Sequence, residues 1–241
     1  KKDLKISMRV AGAKGGYSGG TYASINNIIS EASKNKEIRK DLINPYGLNP
    51  EGEKNGPDQR DLNSVIFDKK IKKWIAPFLM AGINTKIVRR SNALSNYTYG
   101  KNFRYDEAVM TGNGFMGKLK GIMVSIPLIF LAAKPGSIMK SIFNILSPNP
   151  GQGPNKKERE AGYFNIRFYV FGESVISIYK VTGDRDPGYG STSKMLAESA
   201  VCLAKDSLNE SYGVLTPSTS MGDKILKRLE LNAGLKFSKI K

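Results

Sequence analysis

Three short segments hold the residue types from which a binding site could be assembled. The first runs from Gly12 to Thr21 (GAKGGYSGGT), between a strand-like run and a helix-like one. A strand, a glycine-rich turn and a helix aim backbone N–H groups and a helix dipole at one point, where an anion can sit. The candidates there are Gly16, Ser18, Gly19, Gly20 and Thr21, although the same glycines equally serve a tight turn with close packing. The second segment is Gly183–Gly190 (GDRDPGYG). Asp184, Arg185 and Tyr189 either meet a substrate, or the charges pair among themselves while Pro187, Gly188 and Gly190 fix the turn. The third contains Asn84, Thr85, Arg89 and Arg90. On a helix, Thr85 and Arg89 share a face at i, i+4, whereas Asn84 and Arg89 do so poorly. An arginine pair can grip a phosphate or carboxylate; a solvated or salt-bridged pair is the plain alternative.

What is missing narrows the chemistry. The 241 residues contain no histidine, which excludes Ser-His-Asp hydrolysis, Cys-His proteolysis and histidine-containing zinc sites within this chain. A proton donor must be tyrosine, lysine, a carboxyl group or water. Nowhere does G-x-G-x-x-G follow a strand, open a helix and lead to an acidic residue, and the Gly12–Thr21 loop lacks the lysine and spacing of a P-loop. The single Cys202 excludes an intramolecular disulfide and fits a reducing compartment.

The elements that must position these segments are readable in part. Leu4, Ile6, Met8 and Val10 alternate with Lys5, Ser7 and Arg9, the period of a strand. A helix is expected from about Tyr22 to Leu42, then a polar loop over 44–64, a strand or short helix near Val65–Trp74, and a helix from about Pro77 to Leu94. Phe103–Tyr105 reads as a short strand. Phe164–Phe171 and Val175–Val181 form a hairpin. A helix follows from about Ser191 to Asp206. A last helix starts near Ser218–Met221, with Ser220 and Asp223 in capping-box spacing, stops near Gly234 and gives way to a strand through Leu235, Phe237 and Ile240. Hairpins and long excursions between strands predict an α+β fold: a mixed, largely antiparallel sheet with packed helices, not a doubly wound parallel sheet.

Gly121–Ala133 is uncharged and apolar, too short to span a bilayer's ~30 Å hydrocarbon core, and a second apolar stretch runs from Ile138 to Leu146. Together they predict an apolar helical hairpin. It is either buried in the core, a substrate tunnel, or a monotopic membrane contact flanked by Lys118, Lys120, Lys134 and Lys140. Composition is that of a globular domain, 40% hydrophobic and 24% charged, and the net charge is +17. That charge favours anionic partners such as lipid headgroups, a phosphorylated cofactor or an acyl carrier, unless it reflects only a lysine-rich surface. Nucleic acid is a distant expectation, because no recognised RNA or DNA motif accompanies the charge. No secretory signal or transit peptide is visible.

Read in order, these motifs resemble the C-terminal part of saccharopine-dehydrogenase-like oxidoreductases, especially the branch containing trans-acting enoyl reductases. The resemblance rests on Gly16–Thr21, Gly56–Asp61, Trp74–Phe78, Ile83–Thr85 with Arg89–Asn92, Phe103–Glu107, Pro150–Pro154, Gly183–Thr192 and Gly213–Pro217. It implies that residues 1–241 are a C-terminal substrate-binding and assembly domain with an apolar insertion at about 115–147. A Rossmann domain binding NAD(P) would precede it and is absent from this chain. The resemblance implies an NAD(P)-dependent oxidoreductase acting on a lipid-like or acyl substrate, with this chain alone inactive; it carries no catalytic residue over. The alternative expectation is a non-catalytic structural or membrane-associated subunit that retains the fold. An intracellular location is expected, peripheral on an organelle membrane or lipid droplet, with a homodimer or larger assembly as a further expectation.

Overall fold

The computed structural model describes residues 4–15, 19–57, 60–131, 137, 138, 141, 149, 151–172, 175–208 and 211–241. Its frame is one seven-stranded sheet. In chain order the elements are β1 (Lys5–Lys14), α1 (Gly19–Lys34), α2 (Lys36–Ile43), β2 (Ile66–Asp68), β3 (Lys73–Ala76), α3 (Ala81–Leu94), β4 (Arg104–Gly112) and α4 (Gly114–Leu131). They continue with α5 (Lys156–Glu160), β5 (Tyr163–Phe171), β6 (Val175–Gly183), α6 (Gly190–Lys205), α7 (Pro217–Asn232) and β7 (Leu235–Lys239). The strand order is β2-β3-β4-β1-β5-β6-β7. Only β1 and β4 pair in parallel; every other neighbour is antiparallel. The mixed, largely antiparallel α+β sheet expected from the sequence is therefore the observed one.

Alternation along β1 assigns its two faces. Ile6, Met8 and Val10 point to the side where Phe103, Tyr105, Phe78 and Val88 pack into one core cluster. Further along the same side, Phe164, Ala233 and Leu235 form a second cluster with Met195 of α6 and Leu229 of α7. Ser7 and Arg9 lie on the opposite face, yet they too are buried. The β2–β3 hairpin curls over that face. It brings Asp68 within 3.1 Å of Arg9 and the Lys70 ammonium 4.9 Å from the centre of the Phe171 ring.

Several elements differ from the sequence expectation for identifiable reasons. The helix expected over Tyr22–Leu42 is two helices, because the Asn35 side chain accepts from Glu37 and Ile38 N–H and starts α2 afresh. Val65–Trp74 supplies a hairpin, β2 and β3, in place of one strand or short helix. The short strand at Phe103–Tyr105 extends to Gly112, because parallel pairing with β1 carries it on. The last helix is capped not at Ser220 and Asp223 but by Thr216 and Thr219, with Pro217 as its first residue. Of the apolar hairpin, the first arm is α4; all of the second but Ile138 and Ser141 lies outside the described residues.

Candidate functional site

A coupled polar cluster lies between α3 and β4. Tyr105 and Glu107, two apart on β4, share the face that α3 covers. Both are nearly inaccessible. The Tyr105 hydroxyl donates to Glu107 Oε1 at 2.9 Å and the Asn84 amide donates to Oε2 at 3.0 Å. These two donors favour the ionised carboxylate, but burial outweighs them, and the Glu107 carboxyl is pushed up to about 7. Burial first, and then the Glu107 charge, drive the Tyr105 phenol far above its ordinary range. Glu107 is thus a carboxyl that is half-protonated near neutrality, the poise of a proton donor or acceptor.

One turn along α3 the cluster continues. The Thr85 hydroxyl lies 2.8 Å from the Ala81 carbonyl and 3.1 Å from Asp61 Oδ1. It accepts from Arg89 Nη1 at 3.0 Å, the i, i+4 pairing expected from the spacing. Arg89 also donates to the carbonyls of Pro45 and Tyr105 at 3.1 and 3.0 Å, and its guanidinium stands 5.5 Å from the Tyr46 ring centre. Such an arginine is fixed on all sides and acts as a strut. Lys86 donates to the Gly82 carbonyl at 2.9 Å, and burial pulls its ammonium below the ordinary lysine range, against the opposing charge of Asp61.

Asp61 leads directly into an apolar groove of about 590 Å³, within the range of small-molecule sites. Its walls include Leu62 and Val65 of that same segment, Phe78, Ile29 of α1, and Ile122 and Ile129 of α4. Segment 61–65 therefore joins an apolar trough to the hydrogen-bonded cluster around Glu107.

The remaining candidates from the sequence fall elsewhere. Arg90 donates to the carbonyls of Leu48 and Val214 at 2.5 and 2.6 Å, tying two loops together. Gly19, Gly20 and Thr21 open α1, and the Gly19 N–H is bonded to the Gln152 carbonyl at 3.0 Å. Gly16 and Ser18 lie outside the described residues. A Cβ on Gly15 would come within 2.8 Å of Asp186 Cβ, so the first glycine loop abuts the Gly183–Gly190 loop. In that second loop the fully buried Asp186 carboxylate accepts from the N–H groups of Gly188, Tyr189 and Gly190 at 3.0, 2.9 and 2.6 Å. The chain's own carboxylate thereby occupies the anion position at the start of α6. Asp184 pairs with Lys194 at 3.6 Å and Arg185 with Glu160 at 3.3 Å. Tyr189 packs on Gly153, where an added Cβ would lie 2.4 Å from the ring. From the level of Glu107, paired with Met8, to Gly15 is about 23 Å along β1. The glycine loops and the Asn84–Arg89 face are therefore not one site.

Sequence reasoning missed Tyr105, Glu107, Asp61 and Lys86 as members of a site. The available signal was an acid two residues from a tyrosine on a strand, sharing a face with the apolar positions of β1. No group of three or more metal-ligating side chains occurs among the described residues.

A second ionic cluster occupies the opposite sheet face. Arg9 donates to Asp106 at 2.5 Å and to Asp68 at 3.1 Å, while Lys5 and Ser7 reach Asp106 at 3.0 and 2.7 Å. Burial opposes the Asp106 charge, but Arg9, Lys5 and Ser7 together hold its carboxyl below the ordinary range. This network fastens the β2–β3 hairpin to the sheet.

No family model matches the chain, and no solved structure is significantly similar to it. Curated relatives do match. A Mycobacterium tuberculosis protein provisionally named a trans-acting enoyl reductase is 36% identical over 233 residues, covering 90% of this chain and 55% of the relative. Trans-acting enoyl reductases of Mycobacterium ulcerans and Mycobacterium bovis are 32% and 31% identical, covering 88% of this chain and 54% of their own length. The chain spans about half the length of these relatives, and the similarity supports the trans-acting enoyl reductase branch.

Proposed function

We propose that this chain is the acyl-binding half of an NAD(P)-dependent enoyl reductase, with Glu107 as its proton-holding group. The observation that carries the reading is segment 61–65: Asp61 bonds to Thr85, the neighbour of Asn84 in the cluster that poises Glu107 near neutrality, and the residues that follow it line an apolar groove. The names of the relatives supply the substrate class, an enoyl chain. Saturating a C=C bond adds a hydride to one carbon and a proton to the other. The proton is the part that residues of this chain can serve: Glu107 gives it up, is left as a carboxylate held by Tyr105 and Asn84, and regains a proton from solvent.

Among their described residues, the two glycine loops leave no open helix start for a pyrophosphate. The start of α6 is filled by Asp186, and the first N–H of α1 is already bonded to Gln152. The reading therefore assigns the nicotinamide to a Rossmann domain outside this chain, and no step here runs through it.

The test offers a trans-2-enoyl thioester and NADPH or NADH to the protein that carries this chain together with its nucleotide-binding domain. Loss of nicotinamide absorbance with formation of the saturated thioester is the expected result. Absence of turnover with short and long enoyl thioesters would leave the non-catalytic subunit as the reading.

A further inference from the structure

Helix α4 packs inside out. Its small residues Gly117 and Gly121 face the sheet; a Cβ on Gly117 would lie 2.6 Å from the Gly112 carbonyl carbon, and one on Gly121 2.7 Å from Val65. The bulky residues of the far side point outward instead: Phe115, Met116, Leu119 and Met123 are exposed, Phe115 by 77% and Met123 by 61%, while Ile122 and Ile129 line the groove described above. At 3.6 residues per turn these four fall within an arc of about 100°, opposite the glycines. Lys118 stands at one border of that arc and Lys120 at the other. The surrounding sequence is one-sided in charge: the 50 residues from Ala108 to Lys157 hold six lysines and no aspartate or glutamate.

We infer that α4 lies in the surface of an anionic phospholipid bilayer, independently of the activity proposed above. A helix of 18 residues is about 27 Å long, and none among the described residues is long and apolar enough to cross a membrane. An apolar arc flanked on both sides by lysines suits the interface instead. The side chains between the lysines enter the acyl boundary while the ammonium groups reach up to the headgroups. The absence of acids removes the repulsion that such a surface would otherwise meet, and this charge complementarity selects anionic lipid over an apolar protein partner.

Flotation with phosphatidylcholine vesicles, with and without phosphatidylglycerol, tests the inference. The chain should float only with the phosphatidylglycerol vesicles and should be released by high salt. Met116→Asp with Met123→Asp should abolish flotation while circular dichroism and Tm show a folded protein. Lys118→Ala with Lys120→Ala spares Gly117 and Gly121 but takes the Lys118 ammonium from over the Trp74 ring, 5.5 Å from its centre; with a folded protein verified by Tm, the pair should weaken binding about 30-fold, at roughly a factor of five per lysine. No flotation of the unaltered chain at low salt would overturn the inference, as would flotation undiminished in the lysine variant. So would a dimer that the aspartate variant converts to monomer without any vesicle binding, since a second copy would then be the occupant.

Discussion

Replacing Glu107 by glutamine isolates the cost of keeping that carboxyl buried. In the folded protein it titrates at about 7, against an ordinary value of 4.5, because burial outweighs the hydrogen bonds from Tyr105 and Asn84. Below pH 4.5 both folded and unfolded chains hold the proton, and this group adds no pH dependence. Between 4.5 and 7 the unfolded chain releases its proton while the folded one retains it, so stability falls as pH rises. Above about 7 the folded carboxylate is ionised and the penalty is complete. At ~1.36 kcal/mol per pH unit the whole effect is about 3 kcal/mol. Glu107→Gln cannot ionise and keeps an oxygen that accepts from Tyr105. Urea unfolding of both proteins at pH 4.5, 6 and 8 should therefore show the unaltered chain losing about 3 kcal/mol relative to the variant across that range. A stability difference that stays constant with pH would refute the argument, because a carboxyl ionised throughout contributes no such slope.

Other expectations follow from the same contacts. Asp186→Ala strips the acceptor from three N–H groups at the start of α6 and should cost about 3 kcal/mol in urea unfolding. Gly117→Val drives a side chain into the Gly112 backbone and should lower stability by about 1–3 kcal/mol, read as a drop in Tm. The Arg228 hydrogen bonds hold Asp206 down to about 2, so their stabilisation is fully present above the ordinary carboxylate range and disappears as pH falls towards 2. Arg228→Ala should accordingly lower Tm at pH 7, and its difference from the unaltered chain should shrink in acid.

The legibility of the fold followed the range of the interactions. The alternation of Leu4, Ile6, Met8 and Val10 and the β5–β6 hairpin were readable because period and turn are local. The parallel pairing of β1 with β4 was not, since Ser7 meets Asp106 across 99 residues of sequence. Ser7 and Arg9 are the polar positions of that alternation; the β2–β3 hairpin buries them, and no local pattern announces that. Asn35 sat unnoticed within an apparently continuous helix because its side-chain cap is a matter of φ/ψ, which composition does not specify. At the candidate site, the Thr85–Arg89 pairing could be read from helical spacing alone. Glu107 could not, because its character comes from Asn84 and from burial under α3, both supplied by another element. The glycine loops drew attention through backbone freedom, but the structure uses part of it for close packing of Gly15 on Asp186.

The most direct test of Glu107 as the proton-holding group is the pH dependence of enoyl thioester reduction by the protein carrying both halves, with and without Glu107→Gln. The account predicts a rate for the unaltered protein that falls as pH rises through about 7, as the protonated carboxyl is lost. It also predicts a loss of about 100-fold or more in the glutamine variant, with that limb of the profile gone. A folded Glu107→Gln protein that reduces the thioester at the unaltered rate, with the same decline above neutrality, would contradict it.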